Sequence, residues 1–362
     1  MGRAILGLGM LVTALAVAAP AKASVSAQDA TTAPPMVTIV MSRSEISAAD
    51  NMIGSEPTGT CTQDNQNITP LPWVLKWMSQ NTPNVHLTGS VETVTTKDTA
   101  NWCAHYGRSL GPSWTQLQSF SSQYGMHFIS HSADYPQVWS SVPAGWFDPY
   151  AGAHGSTLAD WQNWETCGSR DAITAHGLLG ALGQYDWPNQ HVDATVDAND
   201  VSQCFYTERS YSPPLGSTYV NTLASVQASP DAHTSYTRQL LGGSCSEVAD
   251  STNPCRNAIP GANWYYTPPR QIINLINSLK PGQAVNLQAY VLVTNTNPDY
   301  ATNADRWNCT NPNPAYHWTN DAERYCFADF QRIVQALQND PNVVVTDPQG
   351  VSVAWGLTPP TR

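Results

Sequence analysis

This chain of 362 residues lacks several features that would place it in a familiar functional class. After residue 23 it has no apolar run of the roughly 20 residues that a membrane-spanning helix needs. It has no C-x-x-C pair and no Cys/His spacing typical of a structural zinc site. The Gly-x-Ser-x-Gly elbow of serine hydrolases is absent, and no phosphate-binding loop or dinucleotide fingerprint follows a strand. These absences argue against a later membrane span, a structural zinc site, a serine hydrolase and a nucleotide-binding enzyme.

Basic residues are also scarce. The chain has 16 Lys and Arg against 27 Asp and Glu, which gives a formal net charge of −11. An acidic surface with few lysines repels phosphate backbones and anionic lipids. We therefore expect neither nucleic acid nor an anionic membrane as a partner.

The amino terminus has the three parts of a secretory signal. Arg3 supplies the charge, Ala4–Ala19 is apolar, and Ala21–Ala23 fits a small-x-small cleavage site. We predict a signal peptide over residues 1–23, a disordered lead-in over 24–35, and one domain over 36–362. The mature protein is then secreted, with no membrane attachment after cleavage.

All eight cysteines follow this signal. An even number in an exported chain predicts that every cysteine is in a disulfide. Pairing of sequence neighbours gives Cys61–Cys103, Cys167–Cys204, Cys245–Cys255 and Cys309–Cys326.

Strand-like runs alternate with amphipathic helical patterns along the domain. Met36–Met41 predicts a buried strand, Trp114–Tyr124 a helix and Ala284–Thr294 a strong strand. Ser210–Ala262 is rich in Ser, Pro and Gly and predicts irregular structure. The alternation is typical of an α/β fold with a mostly parallel sheet.

The stretch from Gly125 to Pro136 carries the most specific pattern and reads G-M-H-F-I-S-H-S-A-D-Y-P. It resembles the second motif of the polysaccharide deacetylases (the NodB-homology superfamily), G-H-E-I-G-x-H-S/T-x-x-H-P. His131 is the first motif histidine, and Tyr135 replaces the second. Three later segments, Ser169–Asn189, Ala284–Val293 and Phe327–Trp355, resemble family segments in the same order. The resemblance implies a distorted (β/α) barrel of about seven strands, with its site at the C-terminal ends of the strands.

The family's metal site is not carried over with the fold. Val40–Ser44 stands where the family has T-F-D-D-G, so both carboxylates are missing, and Tyr290 replaces a late-strand histidine. Of the Asp-His-His metal set only His131 remains, whereas a catalytic divalent metal needs about three protein ligands. We therefore predict no metal at this position and no other cofactor.

Polar residues at the presumed strand ends would converge at the barrel mouth. Two carboxylates roughly 5–9.5 Å apart could cleave a glycosidic bond, and a cation could replace the charge of the missing metal. The candidate catalytic residues are His131, Asp134, Glu208, Asp186 and Glu45. The candidate substrate-binding residues are Arg43, Tyr135, Trp187, Arg209 and Tyr290.

Together these patterns favour a carbohydrate-active hydrolase. It would act on an extracellular or cell-wall polysaccharide through side-chain acid/base chemistry. A non-catalytic relative that binds glycan by stacking on Trp139, Trp146, Trp187 and the cluster Trp264–Tyr266 is an alternative. A divergent polysaccharide deacetylase with rebuilt metal ligands is a third reading. The sequence leaves all three open.

Overall fold

The computed structural model describes residues 30–41, 71–93, 113–136, 138–142, 155–188, 191–210, 219–229, 233–240, 269–289, 291–293 and 324–362. The strands are β1 (Met36–Met41), β2 (Thr88–Val91), β3 (His127–Ser130), β4 (Gln184–Tyr185), β5 (Thr207–Ser210), β6 (Val220–Thr222), β7 (Thr234–Gln239), β8 (Gln283–Ala289), β9 (Val291–Val293), β10 (Arg324–Cys326) and β11 (Val344–Val345).

The helices are α1 (Leu71–Asn81), α2 (Trp114–Tyr124), α3 (Leu158–Asn163), α4 (Ser169–Ala175), α5 (Ala194–Val196), α6 (Ser202–Cys204), α7 (Leu223–Gln227), α8 (Pro269–Asn277), α9 (Phe327–Asn339) and α10 (Pro348–Ala354). A π-helical turn, Trp164–Gly168, joins α3 to α4, and a second, Asp197–Val201, joins α5 to α6.

Seven parallel strands close into a barrel. Their order is β1, β2, β3, β4, β5, β7 and β8, and β8 pairs with β1 along the whole of β1. Two short strands pair with the N-terminal ends of barrel strands. The strand β6 runs antiparallel to β8, and β11 runs parallel to β1. The predicted α/β barrel of about seven strands is therefore confirmed as an architecture.

Helix boundaries follow the local sequence. Ser113 begins α2 with a capping box, in which Ser113 and Gln116 each accept the other's backbone N–H. Gly125 ends α2 at φ 66°, in the left-handed region that favours glycine. Any Cβ at Gly125 would also lie 2.8 Å from the ring of His86. The turn from α2 into β3 thus depends on a glycine.

The main apolar core lies between the barrel and its helices. Val37, Ile39 and Met41 alternate along β1 and point outward, because successive side chains of a strand leave opposite faces. They belong to a cluster that includes Leu117 of α2 and Phe330 of α9, both buried. This packing accounts for the apolar residues on the outer face of β1.

The inside of the barrel is polar. Thr38 of β1 donates to the side chain of Asn286 on β8 at 2.9 Å, and Asn286 donates to Ser235 of β7. Gln184 and Thr207, paired in register on β4 and β5, are also in hydrogen-bond contact. All five side chains are buried. Five neighbouring strands of this barrel, β4, β5, β7, β8 and β1, therefore carry hydroxyl and amide groups inward instead of the branched apolar residues usual in (β/α) barrels.

The N-terminal end of the barrel has a separate apolar cluster. Met36 and Tyr206 pack there with Trp355 and Leu357, which follow α10. Asp347 caps α10 by accepting the backbone N–H of Gly350 at 2.7 Å. The carboxyl-terminal segment thus covers the end of the barrel opposite the expected site.

One prediction about secondary structure was wrong. Ser210–Ala262 was expected to be irregular, yet its described part contains β6, α7 and the barrel strand β7. The β7 sequence, T-S-Y-T-R-Q, has no apolar run because its inner face meets the polar interior and its outer face carries Thr234, bonded to Glu208, and Arg238, which lies over the Tyr219 ring. A strand without an apolar alternation gives no signal to a hydrophobicity pattern.

Cys167 and Cys204 form a disulfide with a Cα–Cα distance of 5.5 Å, as predicted. The pairs Cys61–Cys103, Cys245–Cys255 and Cys309–Cys326 each include cysteine side chains outside the described residues. The predicted signal peptide, residues 1–23, also lies outside them. Within the described ranges, no helix is long and apolar enough to cross a bilayer.

Candidate functional site

The loop after β3 brings the first candidate residues to the C-terminal end of the barrel. The backbone N–H of His131 donates to Val91 at 2.8 Å, which extends the pairing with β2 by one residue. The chain then turns sharply, with φ of 69° at Ser132 and 53° at Tyr135. Non-glycine residues in this region are strained and cluster at functional sites. A hydrogen bond of 2.9 Å from Tyr135 N–H to Ser132 Oγ closes the turn.

His131 is fixed by two contacts through one ring nitrogen. Its Nδ1 lies 2.8 Å from the backbone oxygen of Asp186 and 2.9 Å from Asp186 Oδ2. The side chain is 4 % exposed. Within the described ranges, Nε2 of His131 has no hydrogen-bond partner. An edge-to-face contact of 4.9 Å joins its ring to that of Tyr135.

Asp186 connects four neighbouring strands of the barrel. Besides His131 it accepts a hydrogen bond of 2.6 Å from Ser90 Oγ of β2 and forms an ion pair with Arg209 of β5. Burial opposes its ionisation, but the charges of Arg209 and His131 outweigh that effect and hold the pKa of Asp186 below its usual value. Asp186 is therefore a fixed negative charge inside the barrel mouth.

Glu208 lies on the other face of the sheet. It neighbours Arg209, which points inward to Asp186, so the pleat turns Glu208 outward. Its carboxylate accepts from Trp187 Nε1 at 2.5 Å and from Thr234 Oγ1 at 2.8 Å. Asp186 and Glu208, both predicted to be catalytic, are thus separated by the barrel wall.

Trp187 belongs to an aromatic cluster outside the barrel. Its ring is 1 % exposed and lies edge-on to Trp139 at 5.3 Å and to Tyr185 at 5.1 Å. The Cys167–Cys204 disulfide is part of the same cluster. Trp139 is 4 % exposed. Neither tryptophan offers an open ring face on which a sugar could stack.

Asp134 lies half-buried on the same loop as His131, beside a second carboxyl group. That group is Glu165 of the π-helical turn, whose Oε2 accepts the N–H groups of Ala133 and Asp134, both at 2.9 Å. Burial, assisted by the charges of Asp134 and Glu92, raises the pKa of Glu165 to about 8. Glu165 is thus largely protonated at neutral pH.

Two residues of this site were missed from the sequence. Ser90 lies in the weakly patterned stretch T-G-S-V, and Glu165 lies within a helical segment where only the π-helical turn makes it face the loop. Neither has a sequence signal of its own. Three predicted site residues, Arg43, Glu45 and Tyr290, lie outside the described residues.

The metal site of the polysaccharide deacetylases, which the motif resembles, would need donor atoms around His131. Asp186 engages Nδ1, which leaves Nε2 as the donor atom of His131, and Tyr135, which has no imidazole, stands at the position of the second motif histidine. No group of three or more His, Cys, Asp or Glu side chains could hold a metal ion in the part of the chain that the structure describes. The residues described here do not fit the family's metal-binding set.

No protein-family model matches this chain, and no curated protein matches it.

Proposed function

We propose that this chain is a carbohydrate-active hydrolase that removes acyl groups from an extracellular polysaccharide, with His131 as general base. The observation that carries the proposal is the contact between His131 and Asp186. It commits Nδ1 to the aspartate and leaves Nε2 without a described partner at the end of the barrel where (β/α) enzymes act. The substrate class and the deacetylase-like fold family rest on the motif resemblance of the Gly125–Pro136 stretch.

The chemistry needs one base with a fixed tautomer. In neutral His131 the Nδ1 proton is donated to Asp186, so the lone pair lies on Nε2. Nε2 would take a proton from a water molecule, whose oxygen attacks the acyl carbon. The same proton then passes to the departing sugar oxygen or nitrogen as its bond to the acyl carbon breaks. Positioned general bases of this kind contribute about 10²- to 10⁴-fold in rate.

Asp186 and Arg209 support that base. A buried carboxylate beside the imidazole stabilises the imidazolium formed during the reaction. Arg209 compensates the charge of Asp186, and Ser90 fills another acceptor position on the same carboxylate. The four side chains form a preorganised polar network, in which Nε2 of His131 has no described hydrogen-bond partner.

Glycosidic cleavage is less well supported. It requires two carboxyl groups on either side of the scissile bond. Asp186 is fully buried among its partners, and Glu208 faces the aromatic cluster outside the barrel. Acyl hydrolysis needs no second carboxylate, so it fits the described side chains better.

Glycan binding without turnover is the second candidate. One observation favours it: Ser90, Asp186 and Arg209 are nearly inaccessible and are joined by a hydrogen bond and an ion pair, as in a structural network. Because Trp139 and Trp187 are buried, stacking would depend on other aromatic residues, such as Trp146 and Trp264.

Product analysis separates these functions. The purified protein is incubated with acetylated xylan and with N-acetylated chitooligosaccharides, with and without EDTA. We expect acetate release that EDTA does not change. Acetate release that EDTA abolishes would overturn the metal-free chemistry, and shortened oligosaccharides without acetate would show a glycosidase. Retention of glycan without products would support the binder.

Glu208→Gln supplies a matched control for this assay. The amide keeps an acceptor for the N–H of Trp187 and removes the charge. Acetate release should survive the substitution, because Glu208 lies outside the barrel. Loss of all products from a folded Glu208→Gln protein would point back to carboxylate chemistry.

A further inference from the structure

The π-helical turn Trp164–Gly168 has a specific relation to the proposed site. It interrupts the helical segment formed by α3 and α4 and buries Glu165, which is 1 % exposed. Turns of this type inside helices are rare and frequently occur at functional sites. Here the turn directs a carboxyl group at the backbone of the loop that carries His131.

Glu165 binds the centre of that loop. One oxygen, Oε2, accepts both the Ala133 and the Asp134 N–H groups, each at 2.9 Å. The two residues lie between Ser132 and Tyr135, the two positions with positive φ. A strained conformation persists only when its surroundings hold it. Glu165 provides a side-chain acceptor for both of these amides.

The loop conformation also sets the environment of the base. Tyr135 lies at the end of the turn, and its ring edge meets His131 at a centroid distance of 4.9 Å. Asp134 is exposed in part beside it. A change in the backbone at Ala133 and Asp134 would therefore move Tyr135, whose ring contacts His131.

We propose that Glu165 is a positioning residue of the hydrolase site, holding the His131–Pro136 loop so that the Tyr135 ring contacts the base. The proposal rests on the proposed function for its effect on catalysis. The effect on the loop is independent of any activity.

Protonation of Glu165 gives the proposal a pH signature. Burial, Asp134 and Glu92 raise its pKa to about 8. The titratable groups that face it are Asp134 on the loop, Glu92 after β2 and Tyr185 on β4, whose hydroxyl donates to the Glu165 backbone oxygen at 3.5 Å. Ionisation would place a third negative charge beside Asp134 and Glu92. The Ala133 and Asp134 N–H groups favour the ionised carboxylate, but burial and the two neighbouring charges outweigh them, so the folded arrangement of the loop should lose stability as the pH rises through about 8.

Two substitutions at Glu165 separate the effect of its hydrogen-bond acceptor from the effect of its negative charge. Glu165→Gln imitates the protonated side chain and keeps an oxygen acceptor, whereas Glu165→Ala removes both. Asp171→Asn changes a carboxylate on α4 whose side chain is 64 % exposed, and serves as the control. Each full-length protein is compared with the wild type by amide hydrogen exchange of the 131–136 segment and by acetate release from acetylated xylan across a pH series.

At neutral pH, Glu165→Ala should speed exchange of the Ala133 and Asp134 amides about tenfold, the loss expected for one hydrogen bond. Glu165→Gln and Asp171→Asn should exchange like the wild type. Acetate release by the wild type should decline as the pH rises through about 8. Acetate release by Glu165→Gln should not decline over that range. Unchanged exchange in Glu165→Ala, or an identical decline in Glu165→Gln, would overturn the proposal. If no protein releases acetate, the proposed function fails while the exchange data still decide the role of Glu165.

Discussion

Two histidines, one at each end of β3, lie at the two ends of the barrel, and each contacts an aspartate. His127 begins the strand and lies 2.8 Å from Asp347, with its side chain 35 % exposed. His131 follows the last residue of the strand and lies 2.9 Å from Asp186, with its side chain 4 % exposed. The residue types and distances match, so the surroundings must make the difference.

Those surroundings assign different tasks to the two pairs. Asp347 also caps α10, so the His127 contact ties the carboxyl-terminal helix to the barrel. The hydrogen bond to Asp347 raises the pKa of His127 despite partial burial, as in a simple ion pair. Asp186 has Arg209 as a second, fully charged partner. The His127 pair is therefore suited to stability, and the His131 pair to chemistry.

Removing Arg209 should have the largest effect. Arg209→Leu leaves the buried charge of Asp186 without its cation, and losing one partner of a buried pair costs about 3–5 kcal/mol. The free energy of unfolding, measured by denaturant titration, tests this. Arg332→Leu is the control, because Arg332 is 68 % exposed in its pair with Asp329 and should change stability by less than about 1 kcal/mol. Equal changes in the free energy of unfolding would show that the buried Asp186–Arg209 ion pair stabilises the fold no more than an exposed pair does.

Exchanging each histidine for glutamine should separate function from stability. His131→Gln should lower kcat/KM for acetate release at least about 100-fold, because the general base is lost. His127→Gln should leave kcat/KM within about threefold, since it lies at the opposite end of the barrel. Steady-state kinetics on acetylated xylan provide the measurement. A comparable loss of kcat/KM in both variants would show that His131 has no catalytic role distinct from that of His127.

The His127–Asp347 pair should give the smallest effect, visible as a dependence on pH. Its folded-state pKa is raised above 6.5, so its stabilisation is fully present below about pH 6.5 and is lost as the pH rises through the folded value. Because His127 is partly exposed, solvent screening limits the contribution to about 1 kcal/mol or less. Thermal unfolding of the wild type and of Asp347→Asn between mildly acidic and alkaline pH should converge as the pH rises. A constant gap would refute the assignment.

Several elements could be predicted because their cause is local. The apolar run at Met36–Met41 and the amphipathic pattern of Trp114–Tyr124 mark β1 and α2 directly. The disulfide between Cys167 and Cys204 followed from neighbouring positions in the sequence. The strand β7 could not be found this way, because its inner face meets polar groups and carries no apolar period.

The site shows the same division. His131 was found through a motif, and Asp186 and Arg209 through their positions near presumed strand ends. The sequence did not reveal that Asp186 and Arg209 are partners, nor that Glu208 points away from both. Glu165 had no signal, since its role depends on a π-helical turn packing against a loop more than 30 residues earlier in the chain.

The sequence alone determined the alternation of strands and helices, the acidic charge and the chemical groups available at the strand ends. These properties depend on composition and on contacts over a few residues. Only the tertiary structure decided which groups meet. The pleat of β5 sends Arg209 inward and Glu208 outward, and barrel closure brings Ser90, His131, Asp186 and Arg209 together from four strands. Side-chain direction and strand register are set by packing across the whole barrel, and no local stretch of sequence encodes them.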